Sequence, residues 1–304
     1  MSKDIVLTSM ASEAKMKPYR IPQLATPYTD YDMIQRHTEL PPFSDGRSHL
    51  LYIFLNQGSS AEGQGSELYT LVTALAQLGL DTHEGIDRSE NDPGGDFMRS
   101  RQLKVLAGDY FSSWFYHLLS RRGEVALIGT LSTAIADFNV TKAQLYRKMK
   151  GMQLTADEYL RYKVQLNMVL FLSFTPKIDS ALAGLWENLL AEISLCEALA
   201  MELRRSNDLS QAVDSYSYWK MLELGSEEEQ WLLRERELEL KDWKKLMMKY
   251  KCDSLLTDKL HQCIQSIQGL LQGVKDEELL TELNTLLNGF LLQMEIPGQA
   301  AVEG

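Results

Sequence analysis

Proline is distributed very unevenly along this chain. Five of the eight prolines stand within the first 42 residues, and between Gly94 and Ile296 only Pro176 occurs. A proline inside a helix removes one backbone hydrogen bond and clashes with the preceding turn, so a stretch nearly free of proline can form continuous helices. The same stretch lacks the alternation of polar and apolar residues that a half-buried strand would show. The sequence therefore predicts an all-α body.

Apolar residues three and four positions apart place the individual helices. We expect a first core helix near 47–57 and a second that begins with Ser66 as its cap, with its first section ending at Gly79. Pro176 marks a break between two long helices, and Asp276 is the expected cap of the last one. The remaining expected helices cover 97–120, 124–149, 156–174, 179–206, 227–250, 255–271 and 276–294.

The charge of the chain argues against one class of partner. The formal net charge is −11 at pH 7, and such a surface repels the phosphate backbone of nucleic acids. The short basic runs within 99–104 and 241–249 lie on expected helices, where a solvated face is the simpler interpretation. We expect no nucleic-acid partner.

The cysteines and the hydropathy pattern indicate the compartment. Cys196, Cys252 and Cys263 show neither a CxxC spacing nor a Cys/His spacing, so we expect core thiols in a reducing environment rather than a zinc site or disulfides. The sequence starts without the pattern of a signal peptide, and no apolar run approaches the 18 residues or so of a membrane span. We expect a cytoplasmic protein without a transmembrane segment.

Residues 103–119 read LKVLAGDYFSSWFYHLL, an apolar helical run that contains one carboxylate, Asp109. On a helical wheel Asp109 shares a face with Ser112 and Ser113, opposite a stripe of aromatic and leucine residues. The structural interpretation is that Gly108 lets a neighbouring helix approach closely and that Asp109 bonds to it. Catalysis by Asp109 is the alternative, and it lacks a partner acid in the same turn.

Two stretches carry a resemblance to a known family. Residues 105–146, VLAGDYFSSWFYHLLSRRGEVALIGTLSTAIADFNVTKAQLY, resemble the trans-isoprenyl diphosphate synthases, and together with LGLDTHEGI at 78–86 they are closer still to component 1, the small subunit, of bacterial two-component heptaprenyl diphosphate synthases. The similarity is specific over 68–146 and weaker over 150–206. It implies an isoprenoid-synthase-like helical bundle for 46–210, preceded by an arm over 1–45 that is partly extended with one short helix. A C-terminal helical extension over 211–304 is expected to pack on the same body.

The resemblance makes a metal site testable on the sequence. Active members carry two DDxxD-type motifs on facing helices, whose carboxylates hold the Mg²⁺ ions that bridge the substrate diphosphate. The first motif would fall on HEGIDR at 83–88, where Glu84 is the only acid at the positions of the motif's aspartates and Gly85 and Arg88 occupy the other two. The second would fall on CEALAMELRRSND at 196–208, where the glutamates are five residues apart. We therefore expect no catalytic residue, no metal ligand and no bound cofactor in this chain.

The resemblance also suggests where a partner would bind. In the resembled fold the Gly-Asp-Tyr helix and the next helix build the dimer interface. The aromatic candidates among these residues could instead form the subunit's own core. Lys163 falls roughly where the catalytic family has a diphosphate-binding lysine, although a single lysine on a helix is little evidence. The candidates for a partner interface or a prenyl tunnel are Gly108, Asp109, Tyr110, Phe111, Ser112, Ser113, Trp114, Phe115 and Leu118.

A chain that keeps the interface helices and lacks the metal motifs is expected to be an accessory subunit. The resemblance implies a catalytic DDxxD-bearing partner (component 2) that holds the Mg²⁺ ions. The complex would add isopentenyl diphosphate to farnesyl diphosphate and give a C30–C35 all-trans product for the menaquinone side chain. The alternative is a helical scaffold or adaptor without an isoprenoid role.

Overall fold

The computed structural model describes residues 18–293 apart from 39, 58–64, 86–94 and 236–237. Within these residues the regular elements are helices and no strand occurs, which confirms the all-α prediction. A short 3₁₀ turn (Thr175–Lys177) is present. The α-helices are α1 (Ile21–Thr29), α2 (Asp32–His37), α3 (Asp45–Asn56), α4 (Ser66–Glu84), α5 (Gly95–Arg121), α6 (Val125–Lys150), α7 (Ala156–Leu172), α8 (Ala183–Ser206), α9 (Leu209–Ala212), α10 (Tyr216–Leu224), α11 (Glu227–Arg234), α12 (Leu240–Lys249), α13 (Cys252–Gln272) and α14 (Glu277–Gln293).

The N-terminal arm is more regular than the sequence predicted. Two short helices, α1 and α2, stand where one was expected. Pro22 lies in the first turn of α1, where a missing N–H costs no helical hydrogen bond. Ile21 and Ala25 are fully buried because α1 packs against α4. Burial of this apolar side supplies the stability that the local sequence does not.

Three details of the expected helices are wrong. Ser66 is the first residue of α4 rather than its cap, and its hydroxyl donates to Asn56 Oδ1 at 3.0 Å. Helix α4 does not end a section at Gly79 but continues to Glu84. The segment 227–250 forms two helices, α11 and α12, instead of one.

Two helix boundaries follow from local chemistry. Thr155 and Glu158 form a reciprocal capping box at the start of α7, which satisfies two backbone donors. Asp276 accepts a hydrogen bond from the Leu279 amide at 2.9 Å, so its predicted role as a cap is confirmed. Pro176 lies in the 3₁₀ turn and ends the helical run there, as predicted.

The hydrophobic core is continuous from α3 to α14. Helix α8 packs mainly against α13 and α7, and α14 packs against α3. Trp186 and Phe54 lie at its centre with ring centroids 5.5 Å apart. The C-terminal helices therefore share one core with the bundle, while the boundaries proposed at residues 45 and 210 stay a prediction.

Across the part of the chain that the structure describes, we find no helix whose length and apolar character would let it cross a bilayer.

Candidate functional site

Helices α4 and α5 cross at two glycines. A Cβ atom on Gly79 would lie 2.9 Å from the Gly108 carbonyl oxygen and 3.1 Å from the Ser112 amide nitrogen. A Cβ atom on Gly108 would lie 2.6 Å from the His83 ring. Real Cβ atoms essentially never come within 3.0 Å of another heavy atom, and the Gly108 oxygen belongs to the backbone, so a glycine at position 79 permits this close approach of α4 and α5. The neighbour of the small-residue side of α5 is thus a helix of the same chain.

Asp109 contributes to this crossing. Its Oδ1 lies 3.3 Å from Nε2 of His83 on α4, while 68% of the carboxylate side chain stays exposed. A contact of Asp109 with a neighbouring helix is what the structural interpretation of the sequence predicted. The described residues place no second carboxylate with it, and they contain no group of three or more His, Cys, Asp or Glu side chains suited to a metal ion.

The aromatic stripe of α5 is covered by the chain itself. Phe111 and Phe115 are fully buried, which agrees with the alternative that these aromatic residues form the core of their own subunit. Tyr110, Trp114 and Leu118 are half-buried. The Trp114 ring meets Tyr28 of α1 with centroids 4.7 Å apart, and Tyr110 meets Tyr31 at 5.9 Å. Phe111 and Phe115 therefore pack within their own chain, and their role toward a partner or a prenyl tunnel stays a prediction.

The opposite side of α5 is exposed and continues onto α6. The Tyr116 hydroxyl lies 3.1 Å from Ser132 Oγ, which joins the two helices at the surface. A Cβ atom on Gly129 would meet nothing within 4 Å. Ser113 is exposed here too, and its hydroxyl donates to the Tyr110 carbonyl. We call this surface the outer face; its members are Val105, Leu106, Ser113 and Tyr116 on α5 and Val125, Gly129, Thr133, Ala136 and Val140 on α6.

The position expected for the first metal motif holds an ion-pair cluster. Lys163 Nζ on α7 donates to Glu84 Oε2 at 3.1 Å, and Lys142 Nζ on α6 lies 3.6 Å from Oε1 of the same carboxylate. The three side chains are 25%, 16% and 23% exposed. Each oxygen of the only motif acid is therefore matched by an ammonium. Arg88, Asp87 and Asp92 lie outside the described residues.

The electrostatics of the cluster favour its charged state. Burial acts to raise the pKa of Glu84, but Lys163 and Lys142 outweigh it and hold that pKa below its usual value. The Glu84 charge raises the pKa of Lys163 in turn, against the opposing effect of burial. Both partners thus remain ionised near neutral pH.

A second cluster lies at the end of α8, where the second metal motif was expected. Glu202 is only 1% exposed and accepts hydrogen bonds from Arg205 at 2.9 Å, the Tyr159 hydroxyl at 2.9 Å and the Tyr216 amide at 2.6 Å. Arg205 also donates to the Tyr159 oxygen at 2.7 Å. Burial, reinforced by Glu202, raises the pKa of Tyr159. The only deeply buried acid near this motif is thus fully engaged by its own chain.

Further polar side chains line the interior beside the first cluster. Arg47 donates to Glu197 at 2.5 Å and to the Asn167 carbonyl at 2.6 Å. Gln77 donates to Asp81 at 2.8 Å, and its own Oε1 is buried without a hydrogen-bond partner in the described chain. Burial, helped by the Glu84 charge, raises the pKa of Asp81 to about 6, against the opposing effects of Arg47, Gln77 and Lys163.

The residues present do not fit a divalent cation. A dication within about 4 Å of an ammonium is repelled by about 8 kcal/mol at an effective dielectric constant of about 20. Lys142 and Lys163 would both act in this way at Glu84. Gly85, at a position where the motif requires an acid, has no side chain to add. No step of a metal-assisted reaction can therefore be assigned to these residues.

Two cavities lie away from the Glu84 cluster, and the first adjoins the Glu202 cluster, since Arg205 donates to the Val213 carbonyl at 3.2 Å. One, of about 210 Å³, is lined by Leu209, Val213, Tyr218, Leu233, Leu238 and Trp243 beneath α9–α12. The other is an open groove of about 500 Å³ between α6 and α7, lined by Thr130, Thr133, Ala134, Asp137, Val169, Leu172 and Ser173. The groove adjoins the outer face through Thr133.

Sequence reasoning found Glu84 and Lys163 but did not bring them together, and it missed Lys142 and Arg205. No local signal joins Glu84 to lysines 58 and 79 residues further along the chain. Arg205 stands three residues after Glu202, a spacing that places both on one helical side and could have indicated the pair.

Comparison with known proteins gives the family. A family model described as "Heptaprenyl diphosphate synthase (HEPPP synthase) subunit 1" matches residues 31–246, which is more than half of the chain. The chain belongs to this family. This match confirms the resemblance found in the sequence.

One curated member of the subunit 1 family is similar over a limited stretch. "Heptaprenyl diphosphate synthase component 1" of Geobacillus stearothermophilus is 43% identical over 91 residues, which cover 30% of this chain and 39% of that relative. The similarity thus spans well under half of the relative's length.

Solved structures place this subunit 1 member in the isoprenoid synthase fold, which confirms the predicted fold class. Two similar structures are geranylgeranyl pyrophosphate synthases, one from Pyrococcus horikoshii (TM-score 0.62, 12% identity) and one from Lactobacillus brevis (TM-score 0.61, 13% identity). Each match covers 81% of this chain and 84% of the other chain. A decaprenyl diphosphate synthase from Rhodobacter capsulatus (0.59, 15%) matches 91% of this chain and 92% of its own. At these identities the likeness concerns the fold alone.

Proposed function

We propose that this chain is the non-catalytic, regulatory subunit of a heterodimeric long-chain trans-prenyl diphosphate synthase. The observation that carries the proposal is the outer face of α5 and α6, which exposes apolar and small side chains along two adjoining helices. Val125 is 71% exposed, Leu106 61% and Val140 56%. Exposed apolar residues gathered on one surface favour a protein partner, and the name of the relative, component 1, supports a second component.

The proposed partner is a catalytic subunit with both DDxxD motifs, and it would hold the Mg²⁺ ions. No DDxxD occurs in this sequence, and Glu84 and Glu202 are engaged by cations of their own chain. The complex would use farnesyl and isopentenyl diphosphates and make a C30–C35 all-trans product for the menaquinone side chain. We place it in the cytoplasm, which suits three cysteines that are buried as free thiols.

The candidates Asp109 and Ser113 keep an exposed position from which they can reach a partner. The buried candidates Gly108, Phe111 and Phe115 would act indirectly, by holding α5 in place so that its outer face is presented. Lys163 contacts Glu84 and would need to leave that pair to bind a diphosphate, so we propose a structural role for it.

Reconstitution tests the proposal. We expect the purified chain to show no Mg²⁺-dependent condensation of farnesyl and isopentenyl diphosphates, and we expect activity to appear when it is mixed with the DDxxD-bearing subunit. Product length is read by chromatography of the dephosphorylated alcohols. Robust turnover by the chain alone, after contaminating host synthase has been excluded, would contradict the non-catalytic role. Failure to bind any such subunit would contradict the heterodimer.

A further inference from the structure

We propose that Lys142 and Lys163 stand in for metal ions, so that the acid left in the first motif is neutralised by cations of its own chain. In the catalytic fold a carboxylate at this position faces divalent cations. Here Glu84 faces two ammonium groups, at 3.6 and 3.1 Å from its two oxygens. The proposal concerns the residues of this chain, and it rests on the proposed function only in what it says about the partner.

The geometry joins helices that are distant in sequence. Glu84 ends α4, Lys142 lies on α6 and Lys163 lies on α7, so the cluster ties three helices together. Glu202 of α8 and Tyr159 also act electrostatically on Lys163, which connects it to the second cluster. Lys163 stands one turn of α7 after Tyr159, whose hydroxyl donates to Glu202 at 2.9 Å. The lysine is part of the chain, so this connection between the two clusters persists without any ligand.

Two consequences follow. The fold of this chain should not depend on divalent cations, since Lys142 and Lys163 repel a dication at Glu84. In the assembled complex, all specifically bound metal should belong to the partner, and the number of ions per heterodimer should equal the number bound by the partner alone.

The first experiment uses the full chain and Mn²⁺ as probe, with and without inorganic diphosphate. We expect no saturable Mn²⁺ signal by electron paramagnetic resonance up to millimolar concentration, and melting temperatures in EDTA and in Mg²⁺ that agree within about 1 °C. Saturable Mn²⁺ binding that Glu84→Gln abolishes would overturn the proposal. This assay needs no partner, so its failure is separate from a failure of the proposed function.

The second experiment is a double-mutant cycle of Glu84→Gln and Lys163→Gln, measured by urea unfolding. Each single change leaves a partly buried charge unpaired, so the two single effects should not add. We expect the unfolding constant of the double variant to lie closer to the wild-type value, by at least about tenfold, than the product of the two single effects predicts. If Lys163→Gln cannot be purified, recovery of a folded chain in the double variant shows the same coupling. Additive effects, or no recovery, would overturn the proposal.

A matched control lies on the surface of the same protein. Lys259 and Asp157 are also 3.1 Å apart, but their side chains are 35% and 60% exposed. The corresponding cycle of Asp157→Asn and Lys259→Gln should show a coupling below about fivefold, as exposed ion pairs do. A coupling at Glu84–Lys163 no larger than this control would reduce the cluster to an ordinary surface pair and contradict the proposed role.

Discussion

The interior between α4 and α8 and the outer face of α5 and α6 place polar and apolar groups in opposite ways. In the interior, Glu84, Glu202 and their cationic partners are withdrawn from water and matched with one another. On the outer face, apolar residues such as Val125 and Leu106 remain in water. At the positions expected for the metal motifs, the charged groups of this chain neutralise one another, whereas the outer face leaves apolar groups in water. That difference suits the accessory role proposed above.

The largest expected effect is in the interior. Arg205→Met should lower the free energy of unfolding by about 3–5 kcal/mol, because it leaves the buried Glu202 carboxylate without its counter-ion. Urea unfolding followed by circular dichroism measures this. Arg204→Met, at the exposed neighbouring position, is the control and should change stability by less than about 0.5 kcal/mol. Equal stability of the two variants would mean that the interior cluster is not the stabilising element described above.

A bulky side chain introduced on the outer face tests whether this surface binds the partner. Gly129→Trp should leave the chain folded, since a side chain there meets nothing within 4 Å, and it should weaken partner binding at least about 100-fold, or about 3 kcal/mol. Gly269→Trp on α13 also enters open space and should leave binding unchanged. Surface plasmon resonance against the catalytic subunit measures both. Equal affinities would remove this part of α6 from the interface.

Two glycine-to-alanine changes separate a packed helix crossing from an open surface. Gly79→Ala should destabilise the chain by about 1–3 kcal/mol, because the new Cβ would overlap backbone atoms of α5. Gly289→Ala on α14 meets no atom within 4 Å and should stabilise the chain by up to about 1 kcal/mol through helix propensity. Thermal and urea unfolding would show the opposite signs. A stabilising Gly79→Ala would mean that α4 and α5 are not in close contact.

A smaller effect depends on pH. The pKa of Asp81 is raised to about 6 in the folded chain, so the proton binds more tightly there than after unfolding. This contribution to stability is present below about pH 4 and is lost as the pH rises through about 6. Wild type should therefore gain about 1–2 kcal/mol on acidification from pH 7 to pH 5 relative to Asp81→Asn.

The contribution of Glu84 has the opposite sign, because its lowered pKa gives stability that is lost on acidification. It is common to wild type and Asp81→Asn, and it largely cancels in the difference between them. Parallel pH profiles in urea unfolding would contradict the assignment to Asp81.

The sequence by itself determined the helical class, the family and the absence of the acid motifs. Each of these is written in local patterns, such as the scarcity of proline, the apolar spacing and the motif at 83–88. The cap at Asp276 and the break at Pro176 were also local, since both depend on the chemistry of neighbouring residues. One of the two helices of the arm was missed, because both are stabilised by packing on distant helices, α1 on α4 and α2 on α5.

Only the tertiary structure decided which side chains contact one another. Periodicity separates the two sides of a helix such as α5 but does not say which side meets its own chain, so the aromatic stripe could not be assigned before α1 and α4 were seen against it. The same holds for Glu84, whose partners come from two other helices. Charges attract through space with little regard for sequence distance, and a three-dimensional fold is therefore needed to find their partners.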